Sequence, residues 1–181
     1  MPPAPKGREQ VRDALLEAAT ELFAARGPRA TSVRDIAAQA GVNHGLVHQY
    51  FGSKHALLAA VMQRLADRLA EFAGEVVDAG SEHAIVLDRH WRILARALLD
   101  GEDVKDLQRT HPTVEWLLAT AHDAGFDGED AQRQIAHVIA FELGWRLFEP
   151  YILTAVGWTE DADELHQVLF DTVWPGDPTR G

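Results

Sequence analysis

The chain has 181 residues, 46% hydrophobic and 25% charged, with a formal net charge of −11 and no cysteine. That length supports a substantial core and one or two domains, and the missing cysteine excludes disulfides, thiolate metal sites and cysteine nucleophiles. The acidity is uneven: residues 1–60 hold seven Lys or Arg against five Asp or Glu, net +2, and residues 61–181 hold ten against twenty-three, net −13. A slightly basic segment on an acidic body can still bind phosphates locally. The opening MPPAPKGREQ is too polar and Pro-rich for a signal peptide. No run of about 20 apolar residues exists, so no membrane association and a cytoplasmic location are expected.

Residues 1–7 read as an unstructured arm, in which Lys6, with Arg8 beyond it, can reach a phosphate or the minor groove. A first helix is expected over about 8–26, burying Val11, Leu15, Ala18, Leu22 and Phe23 and stopped by Gly27-Pro28. In the second, Val33, Ile36, Ala37 and Ala40 recur at helical spacing. Ser32 stands at its N-cap, and Asp35 three residues on completes a capping-box-like pair. Gly41 suits the left-handed turn that follows, and Asn43 can cap a third short helix. Val42, Leu46, Val47, Tyr50 and Phe51 can fold back on the core, which leaves His44, Gly45, His48 and Gln49 facing outward. This is the helix-turn-helix arrangement that enters a major groove. Gln49 can read adenine through its amide, and Gly45 permits close approach.

A fourth helix begins at Ser53 and is expected to reach about Ala79, with Leu57, Leu58, Val61, Met62, Leu65, Leu69, Phe72 and Val76 on its apolar face. Residues 82–99 form another amphipathic helix, carrying His90, Trp91, Leu94 and Leu98, broken by Gly101 and Glu102. A short helix near 103–109 follows, then one opened by Pro112 and running to about Ala124. Asp127, Gly128 and Asp130 read as a loop. Residues 129–157 are apolar almost all round, interrupted or kinked at Pro150. Such a helix must be buried on most sides, and a second subunit is the natural cover. Ala140 and Gly144 allow close helix approach, and Phe148 and Leu169 belong to the same expected dimer interface. Glu142 and Arg146, four apart and within reach of Glu149, read as an ion pair setting dimer register. A last helix spans about 162–173, with Leu165, Val168, Leu169 and Phe170, and the tail WPGDPTRG is expected to be loose. The class is all-α, with about nine helices and no strand-like alternation or internal repeat.

LLEAATELFAARG, Thr31 to Ala37, Gly41-Val42, Tyr50-Phe51 and Ser53-Lys54 together resemble the DNA-binding head of the tetracycline-repressor (TetR) family, over roughly residues 8–61. The resemblance implies a DNA-binding domain over 1–55 and a helical effector-binding and dimerisation domain over 56–181. It makes Tyr50 and Lys54 phosphate contacts, and Thr31, Ser32 and Arg34 can reach phosphate from the start of the second helix. With Asn43, His44, Gly45, His48 and Gln49 these form the expected DNA surface. The resemblance also implies a cavity for a small hydrophobic effector, for which His90, Trp91, Leu94, Trp116, His122, Phe141 and Trp145 are the candidates. The expected molecule is a homodimeric repressor on a palindromic double-stranded operator, released when effector shifts the fourth helix. No cofactor, metal or catalytic residue is expected, because His90, His122 and His137 form no recognised ligand spacing.

Three positions depart from the family pattern. Lys, Thr and Tyr are frequent at 44, 46 and 48, where this chain has His44, Leu46 and His48. Histidines 44, 48 and 55 supply charge only when protonated, and an unperturbed imidazole is mostly neutral above about pH 6.5. Two other classes compete. An enzyme using a His–Glu pair leaves the head unexplained. A helical protein-interaction module with weakened DNA binding is favoured by the acidity and the two replaced residues.

Overall fold

In a computed structural model, residue 5 and residues 7–72, 80–107 and 110–174 are described, and among them all regular structure is helical. The order is α1 (Arg8–Arg26), α2 (Val33–Gln39), α3 (Gly45–Phe51), α4 (Lys54–Glu71), α5 (Glu82–Leu99), α6 (Val104–Leu107), α7 (Pro112–Asp123), α8 (Gly128–Val156) and α9 (Ala162–Val173). They form two compact units, Met1–Thr110 and His111–Gly181. The expected functional boundary at 55/56 lies inside the first unit, just within α4. The expected fourth helix beyond residue 72, Val76 included, lies outside the described residues, as do 108–109, Lys6 and the tail from 175.

Local chemistry sets the helix ends. Gly27 stops α1 at φ +85°, and its N–H donates to Phe23 O at 2.9 Å. Ser32 and Asp35 form a full capping box at α2. The Ser53 hydroxyl accepts the Ala56 N–H at α4, and the Ser81 hydroxyl that of Ala84 at α5. In the first unit, α1 packs on α2, α4 and α5. Leu15, Leu16 and Phe23 of α1 meet a core that includes Ile36, Val47, Leu57, Leu58, Val61, Met62 and Ile93, all nearly inaccessible. Each such side chain stabilises the fold by about 1.5–3 kcal/mol. α4 is therefore the wall against which α1 and α3 pack, and α2 rests on α1 and α3.

In the second unit, α8 packs on α7 and α9. Leu117, Ala121, Ala131, Ile135 and Val138 form its centre, with Trp116 and Trp174 stacked beside it at 6.3 Å. Asp127 is not in a loop with Gly128 and Asp130. Its carboxylate accepts the Asp130 N–H at 3.0 Å, so it is the N-cap and the other two are the first turn of α8. Nor does Pro150 interrupt the helix, which continues to Val156. Proline removes one N–H donor, and the adjacent ladder bonds remain available to the turns on either side.

Glu142 is 6% exposed. Its carboxylate lies 3.1 Å from His166 Nε2 on α9 and 3.3 Å from Arg146 Nη2 on α8. The His166 ring stacks on Phe141 at 5.3 Å. This apolar-walled cluster ties α8 to α9.

These interactions set two expectations for stability. Ser32→Ala should cost about 1 kcal/mol, read from the denaturant midpoint. The Ser32 hydroxyl, and then its N–H, hold the Asp35 carboxyl below its ordinary value of 3.8. A depressed carboxyl contributes stability above the unfolded-state value and loses it as pH falls through the lower folded one. Asp35→Asn should therefore flatten the acid limb of the stability profile below about pH 4. In the second unit, Glu142→Ala removes the buried carboxylate that Arg146 and His166 share and should cost about 3 kcal/mol in thermal or urea unfolding.

Candidate nucleic-acid interface

The turn after α2 is closed by backbone bonds. The Val42 N–H donates to Ala37 O at 2.9 Å and the Gly41 N–H to Ala38 O at 3.2 Å, with Gly41 at φ +68°. Only glycine holds that left-handed conformation without strain. The N-cap of α3 is His44 rather than the expected Asn43, whose carboxamide oxygen accepts the Gly45 N–H at 2.8 Å from one residue earlier. A Cβ at position 45 would stand 3.2 Å from that oxygen, so glycine keeps this turn relaxed. Val47 is buried against the core. Asn43, His44, Gly45, His48 and Gln49 all lie exposed, as the pattern predicts. The His48 ring Nδ1 sits 3.0 Å from Gly52 O at the end of α3. Tyr50 and Phe51 are half-buried.

The corner between α1 and α2 is held from two directions. From α4, Lys54 Nζ donates to Pro28 O at 2.8 Å and to Thr31 O at 3.1 Å. From the end of α5, Arg96 Nη1 donates to Ala24 O at 2.6 Å, and the Asp100 carboxylate accepts the Arg29 N–H at 2.9 Å. Within the corner, Thr31 is 1% exposed and its hydroxyl donates to Gly27 O at 2.8 Å. Thr31 and Lys54 thus lock the corner that orients α2. Ser32 is exposed, but its hydroxyl is engaged with Asp35 at 2.7 Å, whereas Arg34 stands exposed on α2. His55 lies 2.8 Å from Glu102 and tethers the first turn of α4 to the segment after α5.

The effector candidates fall in both units. In the first, His90 and Trp91 are buried on α5 in edge-to-face contact at 5.7 Å, with Leu94 a turn on. In the second, Trp116 packs on the unit's core, Trp145 is buried, and Phe141 stacks near it at 6.2 Å. His122 is exposed at the end of α7. A shallow cleft between α1 and α4, bordered by Arg12, Leu16, Ala60 and Gln63, contains none of the seven.

Of the interface candidates, Ala140 and Phe148 are exposed on α8, and a Cβ built on Gly144 between them meets no atom within 4 Å. Leu169 is half-buried on α9. Glu142 and Arg146 turn inward to His166 in their own chain. Sequence reasoning missed His166, which lies 24 residues from Glu142, and Arg96 and Asp100, which no local pattern connects to the corner.

Comparison with known proteins decides the family. Residues 15–61 match the family described as "Bacterial regulatory proteins, tetR family". An HTH-type transcriptional repressor of Mycobacterium tuberculosis is 46% identical over 171 residues, spanning 93% of this chain and 90% of that one. The chain belongs to the TetR family. This TetR-family protein is a DNA-binding helix-turn-helix transcriptional regulator, and the family members named here are regulators rather than enzymes. In fold it is similar to a transcriptional regulator from Streptomyces coelicolor, with TM-score 0.62 at 24% identity over 90% of this chain and 96% of that one. A TetR-like regulator from Rhodococcus sp. RHA1 superposes with TM-score 0.58 at 23% identity over 94% and 97%. Among the described residues no helix is long and apolar enough to cross a membrane.

If Lys54 is a corner lock, Lys54→Met should lower stability by about 1–3 kcal/mol, because two partly buried carbonyls lose a charged donor. Thermal unfolding of the variant in the absence of DNA measures this directly. A lysine serving only phosphate would leave the free protein's stability unchanged.

Proposed function

We propose that this TetR-family regulator binds a palindromic double-stranded operator as a homodimer, represses transcription there, and is released by a small hydrophobic effector. The observation that carries the operator reading is the exposed polar row on α3, formed by Asn43, His44, Gly45, His48 and Gln49 above a buried Val47. A short helix propped by α2 and α4, with its polar row outward, is shaped to enter a major groove. Gln49 offers the amide that can pair with adenine, and Gly45 the clearance for close approach. Two such helices in a two-fold dimer would read half-sites about one DNA turn apart, roughly 34–36 Å or somewhat more.

The dimer reading rests on the second unit. Phe148, Tyr151 and Val156 on α8 and Val168 on α9 are each more than half exposed. With Ala140 and Gly144 they form an apolar surface that a second copy can cover isologously. Repression follows the Mycobacterium tuberculosis relative, which is named a repressor. The effector reading rests on the buried aromatic and imidazole groups of α5 and α8. Substituting Trp91 on α5 and Trp145 on α8 separately tests which group answers an effector.

Selection from a random double-stranded library at low salt tests the operator reading, and enrichment of a two-fold symmetric motif is expected. Failure to enrich any motif at either pH 6 or pH 8 would favour a helical protein-interaction module instead.

A further inference from the structure

The head has a shortage of charge on the face expected to meet DNA. The recognition helix, Gly45–Phe51, contains no Lys or Arg. Lys54, next in the chain, is committed to Pro28 O and Thr31 O. Protein–DNA affinity nevertheless depends heavily on neutralised phosphates, and this chain's body is strongly acidic.

Two arginines of α1 stand beside the recognition helix. Arg8 lies over the Tyr50 ring, 6.0 Å from its centroid, and Arg12 over the Phe51 ring at 5.7 Å. They are four residues apart, so they share one face of α1. Both are exposed, and among the described residues neither is paired with a carboxylate. The two rings follow His48 and Gln49 directly in the chain. A guanidinium resting on an aromatic ring keeps N–H donors free for bidentate bonds to phosphate. The ring also limits the rotamers that must be immobilised on binding.

We propose that Arg8 and Arg12 contact operator phosphates beside the recognition helix, with Tyr50 and Phe51 as positioning residues that seat them. The DNA surface then extends from α3 onto the first turns of α1, which add to the exposed Arg34 of α2 the fixed cations that α3 lacks. This rests on the operator reading above.

The test is a salt titration of the duplex enriched by the wild-type protein, followed by fluorescence anisotropy between about 50 and 200 mM salt. Wild type, Arg8→Gln/Arg12→Gln and Arg8→Lys/Arg12→Lys are compared, with thermal unfolding of each. The slope of log K against log salt should fall by about 0.9 for each phosphate that the Gln variant no longer neutralises. Affinity should drop by about ten-fold or more at the lower salt, and the Lys variant should retain most of the slope. A folded Gln variant with the wild-type slope overturns this proposal alone, as does a Lys variant whose slope falls as far as that of the Gln variant. A wild type that binds no duplex overturns this proposal together with the operator reading.

Discussion

Everything at the DNA-facing end of this protein depends on how the α1–α2 corner is held. Five residues of backbone, Gly27 to Thr31, leave the first helix and must deliver Ser32 at the angle where α2 begins. The Lys54 ammonium supplies donors to two carbonyls there, Asp100 accepts an amide, and Arg96 binds the last turn of α1. Hydrogen bonds to charged groups contribute about 1.5–3 kcal/mol each when partly buried. The exposed ion pairs elsewhere on the unit, such as Arg89 with Glu17, contribute about 0–1 kcal/mol. The corner is therefore where charge determines structure. α2, the Gly41 turn and α3 follow from it in sequence, and α4 and α5 are the bodies it is fastened to.

That fastening bears on regulation. The anchors belong to the start of α4 and the end of α5, and α5 also carries the buried His90 and Trp91. A change in the packing of α5 would reach the corner through Arg96 and Asp100, and the first turn of α4 through Glu102 and His55. Such coupling needs two arrangements of the α5 end that differ in their hold on the corner.

Local patterns make much of this legible from the amino-acid order. The Ser32–Asp35 box, the stops at Gly27 and Gly41, the Ser53 cap and the apolar faces of α1, α4 and α5 all lie within a few residues of the positions they control. So does the outward row of α3, because helical period alone separates Val47 from His48 and Gln49. Contacts between distant residues are not legible in this way. Lys54 points back 23 and 26 residues to the corner, and Glu142 meets His166 on a different helix. Nothing in the local sequence distinguishes a buried Thr31 from an exposed one, since both fit the start of α2. Asp127 and Pro150 mislead for another reason. Turn-forming residues also serve as caps, and a proline removes only one donor from a 29-residue helix.

The corner and α2 are structurally one body with α4 and α5. Native-state amide hydrogen exchange of the free protein tests it at Thr31, Ile36 and Val42, whose N–H groups donate to Pro28 O, Ser32 O and Ala37 O. These amides are expected to open with the same free energy and denaturant dependence as the buried amides of α4 and α5. Exchange at the three sites by independent local opening, while α4 and α5 stay protected, would contradict it.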